Sequence, residues 1–286
     1  MMVRRNQSPY PFIGKCIYCG TTDDLTDEHT VPYSLNGLLK LRKASCKACA
    51  KITSSFEGSF THDTLEVARA VMQYKTRDPK SRRESYPTEV LINGEVRTVD
   101  MPVDAYAALV PALDLGFPGY LVEKYALNGP EYKIGWRHMV SITVSRSPER
   151  TKAFLESIGA ETLRSKTTFD ATEFARMLAK IAYCETVAGL MNYGYGGLEC
   201  IKENFLVDFI LRGQGDPWHY IGGQPPVVHP RSPDDPDVRA VSIKDGDFLA
   251  HIQLFVPLGG PQYVVVVGRA TDALREQLHR EGFEDA

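Results

Sequence analysis

Four of the six cysteines fall into two close pairs, Cys16-Ile17-Tyr18-Cys19 and Cys46-Lys47-Ala48-Cys49, with 26 residues between them. In a reducing compartment this pattern predicts one tetrahedral zinc site rather than two disulfides, because thiolates so spaced converge on a single ion at about 2.3 Å. Four thiolates fill the coordination sphere and leave no position for water. The expected zinc is therefore structural, and any catalysis must come from other side chains. Gly20 after the first pair permits the positive φ that a tight knuckle needs. Binding worth on the order of 10–16 kcal/mol would fold a segment too small to own a core. Cys184 and Cys200 stand among apolar neighbours and are expected in the interior.

Between the pairs run Thr26-Asp27-Glu28-His29-Thr30-Val31-Pro32, Asn36-Gly37 and a basic stretch to Ser45; Ile52-Thr53-Ser54 and Phe56-Glu57 follow the second pair. Asn-Gly is a hairpin-turn signal, and the run from Lys51 to Glu57 suits a helix. Taken together, Cys16xxCys19, the acid-His-x-x-Pro of Glu28, His29 and Pro32, and Cys46xxCys49 resemble the zinc-containing branch of HNH endonucleases, over about residues 13–60. The resemblance implies a ββα-metal, treble-clef-like module. It implies His29 as general base on a water, Glu28 as ligand to Mg2+ or another divalent cation, and nucleic-acid phosphodiester hydrolysis as the reaction. On a regular strand, however, Asp27 shares a face with His29, so Asp27 stands as the alternate acid.

Two positions depart from the family pattern. Ala50, directly after the last cysteine, and Leu41 stand where Asn or His is expected, and neither offers a donor atom. Ser54 lies one helical turn after Ala50, whereas Glu57 and His62 are expected too far along the helix to reach a metal. These departures support the alternative of a zinc module that binds nucleic acid without cleaving it. Lys40, Arg42, Lys43, Lys47 and Lys51 are the candidate phosphate contacts, with DNA placed before RNA. In a third reading the zinc module is a handle for another protein and the acidic remainder does the main work.

The elements that must position these residues read as α+β. Asp63 or Thr64 is expected to cap a helix reaching about Tyr74, closing a module at 1–74. A basic, proline-broken linker is expected at 75–88 and a mixed α+β domain of unknown role at 89–286. Within that domain Asn93-Gly94 predicts a hairpin, Ser147-Pro148 a helix start, and Asp170 with Glu173 a capped helix. The stripe of that last helix is Phe174, Met177, Leu178, Ile181, Cys184, Ala188 and Met191. Phe248–Val256 and Gln262–Val267 read as strands and Thr271 as a helix cap. Tyr193–Gly197 reads as a turn, Pro225–Pro236 as a surface loop, and His138, His219, His229 and His251 as structural.

Length and composition bound the rest. At 286 residues with 43% hydrophobic content the chain buries a core without staples, and no apolar run approaches the roughly 20 residues of a membrane span. With no apolar region after Arg4 and Arg5, the expected location is cytoplasmic. The net charge of -3 conceals an asymmetry: residues 1–83 carry 14 Lys and Arg against 8 Asp and Glu, the remainder 19 against 28. A basic front on an acidic body suits a polyanionic partner. No Walker loop, dinucleotide fingerprint, nucleophile elbow or repeat is present.

Overall fold

The computed structural model describes residues 11–76, 78–223 and 238–283. It opens on an antiparallel hairpin, β1 (Leu25–His29) with β2 (Lys40–Cys46). Leu25 faces Cys46, Thr26 faces Ser45, Glu28 faces Leu41 and His29 faces Lys40. The register slips between Thr26 and Glu28, where β2 carries two extra residues opposite Asp27. Lys43 takes up the slack at φ +50°, and its N–H donates to Asp27 Oδ1 at 3.2 Å. This is a bulge closed by a side chain.

Asn36-Gly37 does not form the expected two-residue hairpin turn. Pro32 instead leads into a 3-10 turn at Tyr33–Leu35, Asn36 ends it at φ +64°, and the strand pairing closes at Thr30 N–H to Leu39 O, 3.0 Å. Gly37 is needed for close approach, since a Cβ there would sit 2.0 Å from the Val31 carbonyl oxygen.

Helix α1 (Lys47–Gly58) follows β2 directly and runs through a π turn at Ser59–Thr64 into α2 (Glu66–Val71). Neither Asp63 nor Thr64 caps a helix: both lie inside the π turn, and α2 starts at Glu66 after Leu65, where φ is -108° and no side chain caps the end. Leu65 N–H bonds back to Phe60 O at 3.2 Å, while Phe60 and Leu65 are both buried. Helical structure ends by Met72, with Gln73 at φ +57°.

Strand β3 (Ser85–Ile92) begins inside the expected linker and pairs with β4 (Glu95–Pro102) through the Asn93-Gly94 turn, both residues at positive φ. Next come β5 (Ala107–Leu115), α3 (Gly119–Lys124), β6 (Trp136–Ser145), which pairs with β5, α4 (Pro148–Ser157) and β7 (Thr162–Arg164) against β3. Helix α5 (Ala171–Asn192) starts where its cap predicts: Asp170 Oδ1 accepts from Thr172 N–H and Glu173 N–H at 2.8 and 3.0 Å. The chain continues through β8 (Ile201–Asn204), α6 (Val207–Arg212), α7 (Pro217–Tyr220) and β9 (Ile221–Gly223). It ends with β10 (Val238–Lys244), β11 (Asp247–Gln253), β12 (Gln262–Ala270) and α8 (Asp272–Arg280), capped by Thr271. Strands β10, β11 and β12 form an antiparallel sheet in which β12 also pairs with β8 and β9.

The protein is thus mixed α+β. Helix α5 is its axis, buried along most of its length between α1 on one side and β11 and β12 on the other. Phe60, Phe174 and Tyr263 pack in sequence, with ring centroids 5.2 and 5.6 Å apart. The cysteine-bearing segment and the C-terminal sheet therefore share one buried apolar cluster. The surface loop expected at Pro225–Pro236, His229 within it, and Arg4 and Arg5 lie outside the described residues. Among the described residues no helix is long and apolar enough to cross a membrane.

Candidate metal centre and its acidic neighbour

The first cysteine pair lies in a loop pinned by Gly20 N–H to Cys16 O at 2.9 Å and Cys16 N–H to Thr21 O at 2.7 Å, with Gly20 at φ +78°. The second pair straddles a strand–helix junction. Cys46 ends β2 and caps α1, its Sγ accepting from Cys49 N–H at 3.5 Å. The four sulfurs of Cys16, Cys19, Cys46 and Cys49 lie within 4.8 Å of one another, and Cys19 Sγ is 3.7 Å from Cys46 Sγ. A tetrahedron with metal–sulfur bonds of about 2.3 Å has sulfur–sulfur edges of about 3.8 Å, so this donor set fits zinc. Burial first and the Cys46 thiol next push Cys49 up. At Cys46 burial acts the same way, but the Cys49 N–H and the neighbouring thiols outweigh it and bring that thiol below its usual value. Four thiols this close can share one cation, to which they would bind as thiolates with release of their protons. Cys184 and Cys200 are buried elsewhere, and burial pushes the Cys184 thiol up to about 12.

The hairpin sends its acids in opposite directions. Asp27 is exposed and held by Lys43 N–H, His29 is half-buried with its ring 5.8 Å from that of Tyr33, and Glu28 points inward. Side-chain alternation survives the bulge, so Glu28 does not share a face with His29. Its carboxylate instead meets Lys180 of α5: Glu28 Oε1 is 2.9 Å from Lys180 Nζ, and Glu57 Oε1 of α1 is 2.7 Å from the same nitrogen. Glu57, expected too far along the helix, is thus brought beside Glu28. The ammonium also donates to the His29 carbonyl oxygen.

Lys180 is fully buried. Burial alone would pull its pKa down, but Glu28 and then Glu57 outweigh it and raise the ammonium above the usual lysine value. Next to this group the Tyr18 hydroxyl lies 3.6 Å from Cys184 Sγ. Lys180 carries a sequence signal that the cysteine and histidine motifs do not include. It sits three residues after Met177 and four before Cys184, in the middle of the apolar stripe, where a charge must find counter-charges.

The five basic candidates are distributed over β2 and α1. Arg42, Lys43, Lys47 and Lys51 are exposed, while Lys40 is half-buried. Lys43 Nζ donates to Leu25 O at 3.0 Å, Lys47 pairs with Asp24 at 3.1 Å, and the Arg42 guanidinium lies 5.9 Å from the Phe12 ring centroid. Ala50 presents no ligand, Ser54 is exposed, and His62 Nδ1 lies 3.4 Å from the Arg69 guanidinium. His138 and His219 sit beside Asp114 and Glu123, and His251 Nε2 is 3.0 Å from Ser242 Oγ. Comparison with protein-family models, curated proteins and solved structures returns no match for this chain.

Proposed function

We propose that the N-terminal segment is a zinc-stapled, HNH-like module that binds nucleic acid without cleaving it. The observation that carries this reading is the placement of Cys46. It joins the strand bearing Arg42 and Lys43 to the helix bearing Lys47 and Lys51, so an ion held by the four sulfurs stiffens the junction between two exposed basic segments. Lys47 and Lys51 are four apart on α1 and share one side of it. The Lys47–Asp24 pair is exposed, each side chain at 71%, so exchanging Asp24 for a phosphate costs little. Such contacts read backbone charge rather than sequence, which suits DNA or RNA.

A second reading, metal-dependent phosphodiester hydrolysis, is favoured by one observation. Asp27 and His29 both lie on the outer side of β1, where an acid and an imidazole serve a water and a cation. In that reading Asp27 takes the acid role, because the Glu28 carboxylate is already paired with Lys180.

The test titrates zinc-loaded protein with fluorescent duplex DNA and RNA across a salt series, followed by plasmid nicking in Mg2+ or Mn2+. Binding that weakens steeply with salt, with no nicking, is the expected result. Absence of binding to either polymer at low salt overturns it. Nicking lost in His29→Ala establishes the second reading instead.

A further inference from the structure

Three oxygens converge on one buried point: Glu28 Oε1 from β1, Glu57 Oε1 from α1, and the carbonyl oxygen of His29. Two anionic carboxylates and a carbonyl are the donor set of a hard divalent cation. The point is occupied by the ammonium of Lys180, which reaches it from α5 and is fully shielded from water. Among the described residues, this is the only lysine that is fully buried.

We infer that Lys180 is a tethered cation standing in a divalent-metal position, so that Glu28 is charge-balanced by the chain itself and takes no metal in the native protein. This deepens the non-cleaving reading, on which it rests for its functional meaning, because it explains why the acid next to His29 is withdrawn from metal chemistry. It also makes α5 the positioning element for His29. The ammonium grips the backbone of that residue from behind, while two carboxylates on separate elements hold the ammonium in place.

This cluster behaves differently from a lysine that is merely buried. Shortening Lys180 to alanine leaves two carboxylates and a carbonyl around a vacated space, polar enough to admit water and an ion. Zinc-loaded Lys180→Ala protein is therefore expected to bind one Mn2+ at least about tenfold more tightly than native protein, since a fixed positive charge between the two acids has gone. Its melting temperature should rise with Mn2+ concentration, while that of native protein stays flat. The gain should disappear in Lys180→Ala with Glu28→Gln.

Mn2+ binding is read by calorimetry and by the paramagnetic signal of the bound ion. No Mn2+ gain in the folded alanine variant, equal Mn2+ binding by native protein, or a gain that survives Glu28→Gln overturns the inference. If Lys180→Ala folds only when Mn2+ is supplied, the ion has replaced the ammonium and the inference stands. If it stays unfolded with or without Mn2+, no ion can take that place and the inference fails. Because no nucleic acid enters these measurements, their failure is distinct from failure of the binding reading.

Discussion

The Tyr183 hydroxyl donates to the Ile17 carbonyl oxygen at 2.6 Å, so the central helix α5 holds the loop between the two cysteines of the first pair. The four-cysteine cluster and the core helix are thereby mechanically joined. Ile17 and Tyr183 are both buried, and the Tyr18 ring lies 5.9 Å from that of Tyr183. A knuckle that comes apart therefore releases part of the surface on which α5 packs.

Zinc content and folding should fall together. Native protein is expected to carry one zinc per chain, and Cys49→Ser should lose it, with a cooperative decrease in stability that extends beyond the first 60 residues. The checks are metal analysis and hydrogen exchange along α5. Zinc-free native protein with unchanged exchange in α5 contradicts the expectation. A structural zinc contributes on the order of 10–16 kcal/mol to the segment it organises, so a half-effect is not anticipated.

Lys180→Met should be among the most damaging single changes in the chain. It removes the counter-charge from Glu28 and Glu57 while leaving both carboxylates in place, and breaking a buried ion pair in this way costs about 3–5 kcal/mol. Adding Glu28→Gln and Glu57→Gln should restore most of the loss, because the remaining groups are neutral. Urea midpoints of the single and triple variants decide the point. Since the folded-state pKa of Lys180 is raised, its contribution is complete below the unfolded lysine value of about 10.4 and fades only as pH climbs beyond it.

The acid limb of stability should depend in part on His251. Burial holds its imidazole below the usual histidine value, so the unfolded chain takes up a proton before the folded one does. Stability present above about pH 6.5 is then lost as pH falls, at no more than about 1.4 kcal/mol per pH unit, the limit for one proton. His251→Gln should lose less stability than native protein between about pH 7.5 and 5.5 in urea titrations. Parallel losses would remove His251 from the account.

Nucleic-acid affinity should respond to charge on β2 and α1 and not to charge elsewhere. Lys47→Ala with Lys51→Ala should weaken binding to all sequences alike and reduce the slope of log affinity against log salt by about one unit for each phosphate left without its lysine. Lys152→Ala on α4, an exposed lysine that pairs with Glu156, is the control expected to change nothing. An equal effect of both substitutions would move the interface away from the hairpin and α1.

Much of this architecture was legible from local chemistry. The paired cysteines, the Asn93-Gly94 turn, the Asp170 cap and the Ser147-Pro148 start are signals written within a few residues; the structure brings the four sulfurs together and places an element boundary at each of the other three. What escaped was tertiary. The direction taken by Glu28 depends on a lysine 152 positions away, and the π turn at Ser59–Thr64 is sustained by the burial of Phe60 against Phe174 rather than by local propensity. Asn36-Gly37 misled for a related reason. The 3-10 turn after Pro32 leaves the last strand pairing back at Thr30 and Leu39, away from the Asn36-Gly37 tip, and the Asn36 side chain accepts from Lys75 N–H at 2.8 Å. One clue remained in the open: a lysine at helical spacing between Met177 and Cys184 announces an internal counter-charge.

The two surplus residues of β2 opposite Asp27 work as a detent. A strand that slides by a single place turns every side chain to the other face. For this hairpin, one notch of travel would export Glu28 to water and leave a buried ammonium with one of its two carboxylates. The left-handed step at Lys43, latched by the Asp27 carboxylate, fits at only one setting. The hairpin thus carries its own index mark, and a nascent chain that docks α5 out of step meets an electrostatic penalty before its core can close.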